Sequence, residues 1–267
     1  MARTGSPSLT LRPSKPMQPK TSTLPLDDSK KFPIKSSFFK FSWEKTLVCV
    51  IGLSLLVSAP LYALQDSHPD NLSTLPWWNA QISLQAEQNR NQNYSVCLFG
   101  DSISSGLGQT LGQGNANFGT GGLSTVSLVT QLRTLKSAQV GCEYSIIAIG
   151  TNDAMYTIED AEFVENLRES LRLVKSLGSQ QIILIPAFYS TLKASLNPMM
   201  AGPLSRVDEI NRLIDKVSTE EGIPTAFQGL EALYENNSLR PDLTFDGVHL
   251  NETGKTIYRS FLKQMFP

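Results

Sequence analysis

A serine, an aspartate and a histidine are the residues of this 267-residue chain whose types and spacing point first to chemistry. The serine is Ser102, in Gly100-Asp101-Ser102-Ile103-Ser104-Ser105-Gly106, where the apolar run Val96–Phe99 stops. The chain has two histidines. His68 lies in a polar stretch, and His249 follows Asp246 by three residues in Asp246-Gly247-Val248-His249-Leu250. A serine hydroxyl is a weak nucleophile at neutral pH. It needs a base within hydrogen-bond reach, and the base needs an acid to orient it. One short loop could present both Asp246 and His249, with one ring nitrogen held by the carboxylate and the other facing Ser102. Such chemistry also needs preorganised donors for an oxyanion. The candidates are the Ser102 amide, the Gly122 amide in Gly119-Thr120-Gly121-Gly122, with Gly121 and Gly119 as alternatives, and the Asn152 side chain in Gly150-Thr151-Asn152-Asp153. Each motif alone reads equally well as a turn or a helix cap. Four of them in this chain order do not.

The elements that must position these residues are legible as apolar runs alternating with amphipathic stretches. Strands are predicted over 94–99, 115–119, 144–150, 180–187 and 223–227, the second of them poor in apolar residues. Continuous apolar runs suit strands covered on both faces. Helices are predicted over 124–135, 158–178, 205–222 and 252–266, the second closed by Gly178 with acids early and bases late. This alternation predicts a three-layer α/β/α sandwich around a five-stranded parallel sheet. Ligands in such folds sit at the carboxyl ends of the strands, where Ser102, Gly122 and Asn152 all fall. Asp246 and His249 lie in the loop before the last helix, so all five can share one rim. The segment 188–204 is expected to flank the pocket, with Met199 and Met200 as candidates to line an acyl groove.

The N-terminal third has a different character. Residues 1–45 carry nine Lys/Arg and three Asp/Glu among many Ser, Pro and Thr, and are read as a disordered basic cytoplasmic tail. Residues 46–64 contain no charge and are read as a transmembrane signal anchor, with signal cleavage near Ala63 as the rival reading. Lys30, Lys31, Lys35, Lys40 and Lys45 precede this run, and no Lys or Arg follows it until Arg90. That asymmetry puts the N-terminus in the cytoplasm and the domain on the periplasmic or extracellular side. Residues 65–93 are read as a polar linker, with a short helix near Pro76–Gln88 whose Trp77 and Trp78 either touch the membrane or cap the domain. The domain itself is taken to run over 94–267.

The formal net charge is −1, and no basic tract interleaved with aromatics argues for nucleic acid. The three cysteines form no metal-ligand spacing, so neither a metal nor another cofactor is expected. Cys97 and Cys142 are read as buried free thiols, with a disulfide between them as the alternative in an oxidising compartment. The glycine-rich stretch 106–112 has the look of a dinucleotide loop. No Asp or Glu follows it before Cys142 to hold a ribose, so that reading is set aside.

The blocks GDSISSG, NFGTGG, GTNDA and DGVHL together resemble the signature blocks of the SGNH (GDSL) hydrolase family, from about Tyr94 to the C-terminus. The resemblance implies a flavodoxin-like five-stranded sandwich. It implies Ser102 as nucleophile, His249 as base, Asp246 as its orienter, and the Ser102 amide, Gly122 and Asn152 as oxyanion donors, with Asp101 in a supporting role. The second block departs from the family pattern in having no clear apolar strand before its Asn and Gly. The expected function is a serine esterase acting on acyl-ester small molecules, lipids or acylated glycans. The alternatives are an O-acyltransferase or deacetylase of cell-envelope polysaccharide, and an anchored non-catalytic binding domain.

Overall fold

The computed structural model describes residues 70–265. The basic tail, the uncharged run 46–64 and the first residues of the expected linker lie outside the described residues. Among the described residues no helix is long and apolar enough to cross a membrane.

The elements follow in the order α1 (Pro76–Gln88), β1 (Asn93–Gly100), α2 (Ser102–Ser105), β2 (Asn115–Asn117), α3 (Thr125–Ser137), β3 (Gly141–Ala148), α4 (Thr151–Met155), α5 (Asp160–Ser176), β4 (Gln181–Ile185), α6 (Leu192–Ser195), α7 (Leu204–Glu221), a small hairpin of β5 (Tyr234–Glu235) and β6 (Ser238–Leu239), and α8 (Glu252–Gln264). The main sheet has the order β2-β1-β3-β4, and every pairing in it is parallel. Alternate residues of its strands feed two cores. Cys97, Phe99, Ile147 and Leu184 pack with α1, α3, α5 and α7 on one face. Val96, Leu98, Ile146 and Ile185 pack with Tyr258, Phe261 and Leu262 of α8 on the other. This is the expected layered α/β architecture.

Three expectations are corrected. The sheet has four strands, not five. The segment expected as the fifth meets β4 through one parallel bridge, Leu184 to Thr225, flanked by Leu184 N–H to Pro224 O at 3.0 Å and Ala226 N–H to Leu184 O at 2.9 Å. Pro224 has no N–H to extend that ladder. Second, the polar stretch before β1 is part of the domain. Trp78, Ile82 and Ala86, spaced four apart on α1, are buried in the core, while Trp77 is exposed. Only three apolar residues face inward, among Asn, Gln and Ser, which is why the stretch reads as a linker. Third, Cys97 and Cys142 form a disulfide between β1 and β3; both positions are buried, as expected, but they are not free thiols.

Trp78 makes the correction to the domain boundary measurable. Removing a fully buried aromatic costs about 3–5 kcal/mol, so Trp78→Ala is expected to lower the stability of the whole domain by that amount in a denaturant titration. Replacing a residue on a true linker would move the midpoint hardly at all.

Candidate active site

The carboxyl end of β1 turns sharply into α2. At Gly100 there is no room for a side chain: a Cβ there would lie 2.4 Å from Ser104 Oγ and 2.8 Å from the Ala148 carbonyl oxygen. Asp101 is the N-cap of α2, its Oδ1 accepting from the Ile103 amide at 2.9 Å. Ser102 is thus the first residue of a short helix anchored by Ser104, whose Oγ lies 3.0 Å from the Tyr258 hydroxyl of α8.

The partners of Ser102 arrive from the loop before α8. His249 Nε2 lies 2.9 Å from Ser102 Oγ, and His249 Nδ1 lies 2.6 Å from Asp246 Oδ2. The other carboxylate oxygen of Asp246 accepts from the Val248 and His249 amides at 2.9 and 2.8 Å. Burial by itself would raise Asp246. The hydrogen bonds from the His249 ring and from these two amides outweigh it and hold the carboxyl below its ordinary range. The loop is itself pinned. Thr244 Oγ1 donates to the His249 carbonyl at 2.6 Å and accepts from the Gly247 amide at 2.9 Å, and the Thr191 amide donates to the Gly247 carbonyl at 2.8 Å. The Phe245 ring stacks on the imidazole, with centroids 5.7 Å apart and planes at 13°.

The glycine candidates for the oxyanion lie on the loop between β2 and α3. The Gly119 amide is taken by Asn117 Oδ1 at 2.9 Å and the Thr120 amide by the Gly100 carbonyl at 2.9 Å. Gly119 is therefore removed from the alternatives. Among the described residues, the Ser102, Gly121 and Gly122 amides meet no acceptor, so Gly121 stays an alternative to Gly122. Gly122 has φ +74°, in the left-handed region that favours glycine. Its carbonyl accepts from the Tyr156 hydroxyl at 3.1 Å. Burial, with the nearby carboxylates Asp70, Asp153 and Asp101, pushes that phenol up to about 12, so it stays a donor. Asn152 Nδ2 donates one hydrogen to the Leu123 carbonyl at 3.0 Å, which leaves its second. The structure thus joins Ser102, His249 and Asp246 in one hydrogen-bonded chain, and joins Asn152 to the Gly122 loop by way of Leu123.

Residues with no part in the expected chemistry hold this loop. Asn117 Nδ2 donates to the Ser104 and Gly108 carbonyls at 2.7 and 3.0 Å, while its Oδ1 takes Gly119. Asp153 accepts from the Thr125 amide at 3.0 Å and from Thr125 Oγ1 at 2.5 Å, at the first turn of α3. Asp70 accepts from Ser124 and Ser127 in the same turn. Asn117 and Asp153 were visible inside quoted motifs but not their partners; Asp70 had no signal at all. No group of three or more His, Cys, Asp or Glu that could hold a metal ion occurs among the described residues.

Similarity to known proteins gives the family. Residues 98–257 match the GDSL-like Lipase/Acylhydrolase family. The chain belongs to that family and is a serine hydrolase. Among solved structures, a GDSL-like lipase from Bacteroides thetaiotaomicron is similar at TM-score 0.54 and 19% identity, over 73% of this chain and 96% of that one. A lipase/acylhydrolase from Enterococcus faecalis is similar at TM-score 0.50 and 22% identity, over 64% of this chain and 94% of that one. At these identities the likeness is one of fold. No curated protein matches the chain.

The two buried carboxyls give a pH signature. Burial pushes Asp153 up to about 7, against the opposing hydrogen bonds from Thr125, and pushes Asp101 up to about 6. Between an unfolded value of 3.8 and about 7, folded Asp153 holds a proton that the unfolded chain lacks. Its contribution to stability is therefore full below the unfolded value and is lost as pH rises through the folded one. Asp153→Asn is expected to flatten the fall in melting temperature between pH 4 and pH 7. Parallel melting curves for the two proteins over that range would show that Asp153 titrates normally.

Proposed function

We propose that this chain is an esterase that uses Ser102 as nucleophile, His249 as general base and then acid, and Asp246 to fix the His249 tautomer. The observation that carries the reading is the continuous hydrogen-bonded chain from Ser102 Oγ through both His249 nitrogens to Asp246. His249 Nε2 takes the Ser102 proton as Oγ attacks the ester carbonyl. The Ser102 and Gly122 amides and the free hydrogen of Asn152 Nδ2 stabilise the oxyanion. His249 passes its proton to the leaving alcohol, leaving acyl-Ser102. It then activates water, which releases the acid and restores the serine. Asp246, held ionised, offsets the imidazolium in both halves of the cycle.

An apolar groove of about 850 Å³ between α6 and the Asp246 loop supports an ester with a hydrocarbon part. Leu192, Leu196, Met200 and Phe245 line it at 62, 78, 40 and 69% exposure, values far above those of core residues of these types. An apolar surface of this kind marks a binding site more often than bare solvent contact. Met199 is exposed beside it but does not line it. Action on the periplasmic or extracellular side is part of the proposal. It is supported by the basic leader before an uncharged run and by the Cys97–Cys142 disulfide, a bond that persists in oxidising compartments.

Ser102→Ala and His249→Ala are each expected to lower kcat on p-nitrophenyl esters by at least about 10⁴-fold, with the melting temperature nearly unchanged. Full turnover in either variant would dismiss the triad. Across an acyl series from acetate to octanoate, kcat/KM is expected to rise by up to about fourfold per methylene, and Leu196→Ser should flatten that rise while sparing acetate. A flat series in the unmodified chain would point instead to acetyl groups.

A further inference from the structure

We propose that Asp70, from the segment that precedes the family-matched region, is a positioning residue for the oxyanion loop; this rests on the esterase reading above. The loop from Phe118 to Ser124 has no regular secondary structure, so its shape depends on how its two ends are held. One end is held by Asn117 and by the Gly100 carbonyl. The other runs straight into the first turn of α3, three residues after Gly122.

Asp70 grips that turn from outside it. Its Oδ2 accepts from Ser124 Oγ and Ser127 Oγ, both at 2.5 Å, and from the Ser127 amide at 3.2 Å. Ser124 and Ser127 are fully buried, and they also cap one another: the Ser124 amide donates to Ser127 Oγ at 3.1 Å, and the Val126 amide donates to Ser124 Oγ at 3.1 Å. Both hydroxyls of this capping box therefore donate to Asp70 at short range, and Ser127 Oγ has besides only the long contact of 3.4 Å to the Ser124 carbonyl. Its other oxygen accepts from the Leu72 amide at 2.8 Å, which fixes the turn that carries Leu72. The Leu72 side chain in turn backs Gly122: a Cβ on Gly122 would lie 3.3 Å from Leu72 Cδ1. One carboxylate thus sets both the end of the loop and the wall behind its glycine. The segment is itself anchored by Trp78 and Ile82 in the core, and by Gln85, whose Oε1 accepts from Gln131 Nε2 at 2.9 Å. Gln131 also donates to the Phe118 carbonyl at 2.7 Å, inside the same loop.

The geometry predicts a defect in the transition state rather than in substrate binding. Displacing a preorganised donor by about 1 Å can cost on the order of 10²-fold in rate. In the full chain, Asp70→Ala is expected to lower kcat per titrated active site about 10- to 100-fold on a p-nitrophenyl ester. KM should change less than about threefold, and phosphonylation of Ser102 by a p-nitrophenyl phosphonate should slow in parallel. Asp70→Asn, which keeps an acceptor oxygen, should recover part of the loss. Ser127→Ala removes one of the two hydroxyl donors without touching the Asp70 turn, and should lower kcat in the same sense if Asp70→Ala does not fold. Unchanged kcat per active site in the variants that fold, or a loss confined to KM or to the active fraction, would overturn the positioning role. If Ser102→Ala also kept its turnover, the esterase reading would fall with it; an inactive Ser102→Ala beside an unimpaired Asp70 variant would overturn the positioning role alone.

Discussion

The side-chain amide of Asn117 ties together the two loops on which the proposed chemistry depends. Both its hydrogens go to carbonyls at and beyond α2, Ser104 and Gly108, and its oxygen takes the Gly119 amide. The residue is buried, so losing the amide would remove three hydrogen bonds at once, the one to the Ser104 carbonyl fully buried, at about 1 kcal/mol each. Because one rigid group serves both loops, Ser102 and the Gly122 loop cannot shift independently. β2, only three residues long, ends on Asn117 and so delivers it to this point.

Three of the aspartates around the site, Asp246, Asp101 and Asp153, show how environment divides one residue type among different tasks. Asp246 collects a ring N–H and two amides at the edge of solvent and is held ionised, as a partner for an imidazolium must be. Asp101 and Asp153 are fully buried, and their burial raises them against the hydrogen bonds that they accept. They serve as helix caps, Asp101 for α2 and Asp153 for α3, fixing the peptide unit after Ser102 and the one before Thr125, three residues beyond Gly122. The motif blocks thus contain two kinds of residue, those proposed to meet substrate and those that hold the first kind in place.

The strands β1, β3 and β4 and the long helices were legible because their apolar runs and stripes are long and unbroken. The grouping of Ser102, Asp246 and His249 was legible because Ser102 follows a strand end and the other two share one short loop before the last helix. What escaped has physical reasons. Pro224 reduces an apolar strand-like run to a single bridge. The buried face of α1 is three residues wide in a polar helix, too sparse to mark a core element. Asp70 acts through contacts more than fifty residues away in sequence, and nothing near it hints at them. The disulfide was open because pairing depends on the compartment as well as on position.

The surroundings of the site differ on its two sides. On the side of Gly122 the support is buried and polar, with Asn117, Gln131, Ser124, Ser127 and Asp153 all hydrogen-bonded to nearby side chains or to the backbone. Such a network allows little adjustment, because any change strands a buried donor or acceptor. On the side of His249 the surface is open and apolar, built from Phe245 against the imidazole and from the Leu192, Leu196 and Met200 side chains. Apolar contacts of this sort are non-directional, and flexible methionine adapts to different shapes. In the proposed esterase the Gly122 side can therefore stay fixed while the groove side changes from one substrate to another. The first would set how fast an ester is cleaved, and the second which ester is held.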